Sequence, residues 1–382
     1  MEGTTAQEER VTPLELFFDL VFVFGITQVT TLLSDDPTWG GLARGLLVLS
    51  ALWWAWAAYA WLTNTLNPEE GAVRLAVFAI MGAMLIAALA VPEAFGDHGV
   101  LFGVSYFVVR ALHLALYALA AKGDHDLLGA VLRMVPSSTI SGVLIVTAGF
   151  LGDAPQIALW VIALSVDYLG VAVGGGQGWR VSPGHFAERH GLIIIIAIGE
   201  CIVAVGLGAA GVPLGPGVVT AALFATAIAA VLWWAYFDVV AIVAERKLTE
   251  AKGAARAAQA RDSYSYLHLP MVAGIVLFAF AMKKTLADVD EPLKAVPAAA
   301  LCGGLALYFL AHVAFRLRNV RTWNKQRVLA ALALLALYPA VREVPALAAV
   351  AGVTAVTVGL IAYEAIRFRE ARTRVRQARQ PA

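Results

Sequence analysis

Long apolar runs, each near the length of a membrane-spanning helix, follow one another along the chain from residue 14 to residue 366. A helix that crosses a bilayer needs about 20 mostly apolar residues. This pattern predicts an all-α polytopic membrane protein with about twelve transmembrane helices, of which the eleventh is short. The twelve predicted spans are 14–33, 42–62, 72–91, 100–121, 134–151, 155–174, 188–210, 217–243, 266–286, 295–316, 328–341 and 345–366.

Composition excludes an ordinary soluble domain. Of the 382 residues, 60% are hydrophobic and 14% are charged, and the mean hydropathy is +0.76, whereas soluble domains carry about 25% charged residues. Cys201 and Cys302 both fall inside apolar runs, so we expect small buried side chains and no disulfide framework. No phosphate-loop, zinc-protease or nucleophile-elbow motif occurs, so we expect no enzyme, no cofactor, no bound metal and no nucleic-acid partner.

The basic residues predict the topology. With twelve spans, 22 Lys and Arg residues fall on the side of the N-terminus and five on the opposite side, while Arg110 lies inside a span. Cytoplasmic loops carry the excess of Lys and Arg. We therefore predict a multi-pass protein of the cell membrane with a cytoplasmic N-terminus at 1–10. The basic tail at 367–382 is predicted to be cytoplasmic as well and to be attracted to anionic lipid.

The two halves of the chain share short sequence matches. The segment LWWAWAAY, from Leu52 in span 2, resembles LWWAYFDV, from Leu232 in span 8, and GITQ, from Gly25, aligns with AIGE, from Ala197. Each match joins a span to the sixth span after it, so both halves would have the same orientation in the membrane. We predict two parallel six-helix repeats joined by a glycine-rich linker. The predicted segments are 11–174, 175–187 and 188–366.

Two carboxylates stand near the start of span 1. Glu15 and Asp19 are four residues apart, so their side chains share one face of a helix. Like charges at this spacing repel, which favours a cation between them; Arg110, a histidine or a transported ion would serve. Alternatively, Asp19 belongs to a buried ion pair between span 1 and span 4 that only fixes helix packing, and Glu15 is a solvated or capping residue.

Other ionisable groups inside the spans are few, and such groups are unfavourable in a membrane and are often functional. Across the two halves, Arg110 of span 4 aligns with His312 of span 10, and Gln28 aligns with Glu200. Polar groups at matching depths in two repeats are typical of a central binding site. The candidate ion- or substrate-binding residues are Glu15, Asp19, Gln28, Arg110, His113, His190, Glu200 and His312.

Two segments carry a resemblance to a known family. With TPLELFFDLVFVFGITQ in span 1 and ERHGLIIIIAIGECIVAVG in span 7, in this order and at this spacing, the chain resembles the bacterial low temperature requirement A family of multi-span membrane proteins. The resemblance covers about residues 11–366. The family is named for a growth phenotype in the cold, so the resemblance implies a bacterial membrane protein and no particular molecular activity.

Span 1 carries a second resemblance. The stretch FFDLVFVFGIT, from Phe17, is similar to the F-S-D-x-V-F-x-x-x-I-T signature of the endolysosomal and bacterial potassium channels, which have six spans per unit. The similarity implies that Phe17 and Asp19 occupy signature positions and that span 1 lines a pore. Two departures are that Phe18 replaces the signature serine and that Arg189 stands where a second signature would begin.

These features favour a secondary transporter, coupled to protons or cations, for an unidentified small ion or solute. Asp19 and Glu200 would bind the proton or cation, with Arg110 as the counter-charge. The alternatives are a cation channel with span 1 lining the pore, and a membrane-embedded enzyme or signalling protein with the cytoplasmic-mouth residues Glu188, His190 and His268. The expected partners are the lipid bilayer and a small ion or solute, and a homo-oligomer is left open.

Overall fold

The computed structural model describes residues 11–377, and these residues form α-helices joined by short connections. Within this range no β-strand is formed, and an isolated bridge pairs Pro292 with Pro345. The predicted N-terminal segment 1–10, and residues 378–382 of the predicted basic tail, lie outside the described residues.

The helices follow the apolar runs closely. A short 3-10 turn, Val91–Glu93, extends α3, and a π-helical turn, Ala260–Tyr266, links α10 to α11. The helices are α1 (Pro13–Asp35), α2 (Trp39–Leu62), α3 (Gly71–Ala90), α4 (Gly99–Ala120), α5 (His125–Ala148), α6 (Asp153–Val173), α7 (Pro183–Ala209), α8 (Pro216–Phe237), α9 (Val240–Glu250), α10 (Gly253–Gln259), α11 (His268–Ala287), α12 (Ala295–Val320), α13 (Lys325–Ala336), α14 (Tyr338–Val341), α15 (Ala346–Arg367) and α16 (Arg369–Gln377).

Eleven helical segments within residues 11–377 are long and apolar enough to cross a membrane, so the all-α polytopic fold is confirmed. Several large apolar side chains on these helices are exposed, for example Leu75 at 70% and Leu132 at 59%. In a soluble protein such side chains would be buried, whereas here they form the surface that a bilayer covers.

The predicted eleventh span, 328–341, is divided between α13 and α14. Helix α13 has 12 residues, which is about 18 Å of helix against a hydrocarbon core of about 30 Å. Pro339 stands in the first turn of α14, because proline has no backbone N–H and is tolerated at a helix start but not in its interior. Both termini lie on one side of the membrane only if the number of crossings is even. Because eleven segments within residues 11–377 are long enough to cross, the placement of both termini on one side stays a prediction.

The chain packs into two compact units, each of which draws on both halves of the sequence. Among the described residues, unit 1 contains 11–25, 50–192 and 245–265. Its helices α3, α4, α5 and α6 pack as consecutive neighbours. Helices α4 and α5 approach closely at Gly103, where an added Cβ atom would lie 2.8 Å from the α-carbon of Val146. The predicted duplication stays a prediction.

Among the described residues, unit 2 contains 26–49, 193–244 and 266–377. Here α11 packs along α12, α8 along α15, and α12 along α13. Two glycines face each other where α11 meets α12: a Cβ atom on Gly274 would lie 2.5 Å from the carbonyl oxygen of Gly304. Small residues at such an interface let two helix backbones approach closely, as in many membrane proteins.

Candidate functional site

Four ionisable side chains meet between α1 and α7 inside unit 1. Glu15 and Asp19 share one face of α1, and His185 and Arg189, also four residues apart, share one face of α7. Arg189 Nη1 lies 3.0 Å from Glu15 Oε1, and Arg189 Nη2 lies 2.8 Å from Asp19 Oδ1. His185 Nε2 lies 3.0 Å from Glu15 Oε2. All four side chains are buried, and we call them the α1–α7 ion cluster.

Aromatic rings surround the α1–α7 ion cluster. Trp56 Nε1 donates a hydrogen bond to Asp19 Oδ1 at 2.8 Å, and the guanidinium carbon of Arg189 lies 5.8 Å from the Trp56 ring centroid. Phe18 stacks on Tyr59 with their centroids 3.9 Å apart. These rings keep water from the ions, which strengthens each ion pair and makes any unbalanced charge more unfavourable.

The protonation state of His185 follows from its neighbour Asn64. The Asn64 amide is oriented by the backbone, because its Oδ1 accepts from Ser182 N at 2.9 Å and its Nδ2 donates to Ala60 O at 3.1 Å. The same Nδ2 lies 3.3 Å from His185 Nδ1. Since Nδ2 is a donor, His185 Nδ1 accepts, and the proton of the ring is on Nε2, which donates to Glu15. His185 is therefore neutral in this arrangement.

The α1–α7 ion cluster consequently carries a net charge of −1. Glu15 and Asp19 contribute two negative charges and Arg189 contributes one positive charge, while His185 is neutral. Asp19 Oδ2 has no hydrogen-bond partner within residues 11–377. A buried carboxylate oxygen in this state is a binding position for one proton or one cation.

The predicted counter-charge for Asp19 is wrong. Arg110 Nη2 lies 2.9 Å from Asp167 Oδ2 on α6 and 2.6 Å from Ser138 Oγ on α5, so Arg110 forms a buried pair with Asp167. Arg189 takes the role at Asp19 that the sequence assigned to Arg110. The reason is packing: α7 brings its basic face against α1, and α4 directs Arg110 toward α6.

A cavity of about 50 Å³ adjoins Arg110 in unit 1. Aromatic side chains form most of its wall, and we call it the tryptophan cavity. Its lining residues are Trp54, Ala57, Ala58, Trp61, Arg110, His113, Tyr117, Met134, Val171, Gly175, Gly176, Trp179, Ala257, Arg261 and Ser265. His113, a predicted site residue, donates from Nε2 to the Ala58 carbonyl oxygen at 3.0 Å, so Nε2 carries a proton.

A family model described as bacterial low temperature requirement A protein matches residues 10–362. The chain belongs to the bacterial low temperature requirement A family. An uncharacterized protein from Rhizobium meliloti (strain 1021) is 33% identical over 284 residues, which cover 72% of this chain and 69% of the relative. No solved structure gives a significant match. The family and its helices make the chain an integral membrane protein, and the predicted family resemblance is confirmed.

In this member of the low temperature requirement A family, Glu200 lies on the part of α7 that belongs to unit 2. Its side chain is buried, and Thr27 Oγ1 donates to Glu200 Oε2 at 2.6 Å. Glu200 forms no salt bridge with any residue of the described chain. Gln28, predicted to align with Glu200, is half-buried on α1. The structure thus gives Glu200 a hydroxyl partner in place of a paired cation.

A second buried ion pair occupies unit 2. Arg327 Nη2 lies 3.0 Å from Glu364 Oε2 on α15, and Arg327 Nη1 lies 2.9 Å from His312 Nδ1 on α12. Asn324, which caps the start of α13, donates to Glu364 Oε1 at 2.9 Å. His312 therefore accepts a hydrogen bond from an arginine. Neither Arg327 nor Glu364 is among the predicted site residues, because the sequence placed Arg327 in a loop and Glu364 near the end of a span.

Two further residues singled out in the sequence, His190 and Phe17, differ in burial. His190 is buried in unit 1, its Nδ1 lies 2.8 Å from the Phe186 carbonyl oxygen, and its ring meets Trp56 edge-on at 5.0 Å. Phe17 is 52% exposed, although Asp19 two residues later is buried.

Within residues 11–377 no group of three His, Cys, Asp or Glu side chains is arranged to hold a metal ion.

Proposed function

We propose that this protein is a secondary transporter that couples the movement of a small ion or solute to protons or to another monovalent cation. The observation that carries the proposal is that two buried carboxylates, Glu15 and Asp19, share the single buried guanidinium of Arg189. A buried unbalanced charge is unfavourable, and binding one proton or one monovalent cation removes it. Asp19 Oδ2, which has no hydrogen-bond partner among the described residues, is the proposed binding atom.

Glu200 gives independent support within unit 2. A carboxylate on a membrane-spanning helix, with a threonine hydroxyl as its partner at 2.6 Å and no salt bridge within residues 11–377, is costly when it is ionised. Such a group favours protonation or a bound cation. Intramembrane acids of this kind are typical of proton and cation relays in transporters.

The test is coupled transport in proteoliposomes. The purified chain is reconstituted with a pH-sensitive dye inside the vesicles, and a panel of small organic and inorganic solutes is added on one side. We expect at least one solute to move protons, and we expect Asp19→Asn to abolish this movement and Glu200→Gln to reduce it strongly. Replacing the proton gradient by a sodium gradient distinguishes the two coupling ions.

Asp36→Asn is the matched control. It removes a carboxylate just beyond α1 that is partly exposed and paired with Arg44, so coupled proton movement is expected to persist. Solute movement that is unchanged in both Asp19→Asn and Glu200→Gln contradicts the proposal. Solute movement by the wild-type protein that depends on no ion gradient also contradicts the proposal.

As part of the same proposal, the transporter lies in the cell membrane with both termini on the cytoplasmic side. A cation channel with span 1 lining the pore, and a membrane-embedded enzyme or signalling protein, stay as alternatives. The channel predicts steady current at constant voltage in planar bilayers without added solute. The enzyme alternative includes His268, which lies in unit 2 with its Nε2 at 2.8 Å from the Tyr236 hydroxyl, whereas Glu188 and His190 belong to unit 1. The three groups therefore form no cluster within either unit.

A further inference from the structure

The tryptophan cavity has the construction of a small-molecule site. Trp54 and Trp61 of α2, Tyr117 of α4 and Trp179, which follows α6, contribute its aromatic wall. One water needs about 10–15 Å³ of such volume, so about 50 Å³ accommodates a molecule of a few non-hydrogen atoms. A mostly apolar cavity with a small number of polar groups is the usual form of a ligand site.

Arg110 supplies the polar group of this cavity. Its side chain is 2% exposed, and Nη2 makes the contacts to Asp167 and Ser138. Arg110 Nε and Nη1 have no hydrogen-bond partner within residues 11–377. Buried N–H groups without an acceptor are each unfavourable by about 1–3 kcal/mol, so an acceptor that enters the cavity gains the bonds that the protein leaves unmade.

The charges around the cavity favour an anion. Arg110 and Arg261 are the charged side chains that line it, and no carboxylate of the described residues does. Asp167 approaches Arg110 from α6, and Asp262 pairs with Arg261 in the π-helical turn. His113 donates from Nε2 to a backbone carbonyl. A cationic ligand would meet two guanidinium groups, whereas an anionic one would meet N–H donors.

We infer that the tryptophan cavity binds a small monocarboxylate. The planar carboxylate accepts from Arg110 Nε or Nη1, and its short apolar chain lies against the indole rings. This inference names the substrate class of the proposed transporter, and it rests on the proposed function only in calling the bound molecule a substrate. Binding itself is a property of the cavity.

The test is binding by the purified full chain in lipid nanodiscs, measured by titration calorimetry and by tryptophan fluorescence. The probes are propionate, propionamide and propylammonium, which share a chain length and differ in charge. We expect saturable binding of propionate, at least tenfold weaker binding of propionamide, and none of propylammonium. Equal affinity for propionate and propionamide overturns the inference, and so does the absence of saturable propionate binding.

Two variants address the site. Arg110→Gln with Asp167→Asn removes both charges of the pair, so no unbalanced charge is buried, and propionate affinity is expected to fall at least tenfold. Arg327→Gln with Glu364→Gln removes a similarly buried pair whose residues line no part of the cavity, and its affinity is expected to stay unchanged. Unchanged affinity in the Arg110 variant overturns the inference.

Ala58→Leu gives a second, independent variant, because Ala58 lines the cavity and a larger side chain fills it without removing a charge. It is expected to abolish propionate binding, and unaltered binding overturns the inference even if the Arg110 variant fails to fold. No gradient is present in these measurements. Propionate binding without transport coupled to a proton or sodium gradient would therefore refute the transporter and keep the site, whereas coupled transport without propionate binding would refute the site alone.

Discussion

Replacing Arg189 by methionine tests the α1–α7 ion cluster directly. The change keeps much of the length of the side chain and removes the cation that lies 3.0 Å from Glu15 and 2.8 Å from Asp19. Hydrogen bonds to charged groups contribute about 1.5–3 kcal/mol each, and removing one partner of a buried ion pair costs about 3–5 kcal/mol. Because both carboxylates are fully buried, we expect Arg189→Met to lower the free energy of unfolding by about 3–5 kcal/mol.

The assay is reversible unfolding in mixed micelles, followed by circular dichroism. Adding Glu15→Gln and Asp19→Asn to Arg189→Met replaces the buried charges by neutral amides, and most of the lost stability is expected to return, since exchanging a whole buried ion pair for neutral groups is often nearly neutral. Arg180→Met is the control. Arg180 is 75% exposed in its pair with Asp124, and exposed pairs contribute about 0–1 kcal/mol.

Two results would refute this reasoning. One is a loss below about 1 kcal/mol for Arg189→Met, because that is the magnitude of an exposed pair. The other is a large loss that the two amide substitutions leave unchanged, which would show that Arg189 acts through its packing on the aromatic rings.

Three further predictions concern other parts of the chain. Thr27→Val removes the hydroxyl that donates to Glu200 at 2.6 Å and should destabilise the protein by about 1–3 kcal/mol, with Thr27→Ser nearly unchanged in unfolding experiments. Gly274→Leu should greatly reduce the folded yield in size-exclusion chromatography, because its Cβ atom meets a backbone oxygen at 2.5 Å; Gly303→Ala, which meets nothing within 4 Å, should not. Hydrogen bonds from Thr38 and then from Arg44 lower the pKa of Asp36, so its stabilising contribution, measured against Asp36→Asn, should be full above the ordinary carboxyl pKa and disappear as the pH falls through the lowered value.

Each of these has an outcome that contradicts it. Equal stability of wild type and Thr27→Val would show that the hydroxyl contributes nothing to Glu200. A normal yield of Gly274→Leu would show that α11 and α12 separate at little cost. A stability difference between wild type and Asp36→Asn that grows in acid would reverse the sign expected for a carboxyl group with a lowered pKa.

The helices could be predicted from the sequence because hydrophobicity and length are local properties. The predicted span at 328–341 is the exception, since α13 ends at Ala336 and α14 begins at Tyr338 with Pro339 in its first turn. Spacing alone also places Glu15 and Asp19 on one face of α1. In each case the information lies within a few consecutive residues.

The partners of the charged groups could not be predicted in the same way. Which cation meets Asp19 depends on which helix packs against α1, and three cations were compatible with the sequence. Arg189 lies in HFAERH at the predicted cytoplasmic mouth of span 7, and its spacing of four from His185 is the signal that the two side chains share one helix face. Arg327 was placed in a loop because it precedes the apolar run that begins at Val328, and its pairing with Glu364 depends on how α13 packs against α15.

The neutral state of His185 has an electrical consequence. In the proposed transporter the empty α1–α7 ion cluster is negative and the proton-loaded cluster is neutral, so proton binding removes one of the charges on which the membrane voltage acts, and a monocarboxylate bound in the tryptophan cavity adds one back. Moving one elementary charge through the full potential involves about 2.3 kcal/mol per 100 mV. The amide of Asn64, by fixing one imidazole tautomer, thereby determines the charge on which the membrane voltage acts when the α1–α7 ion cluster is empty.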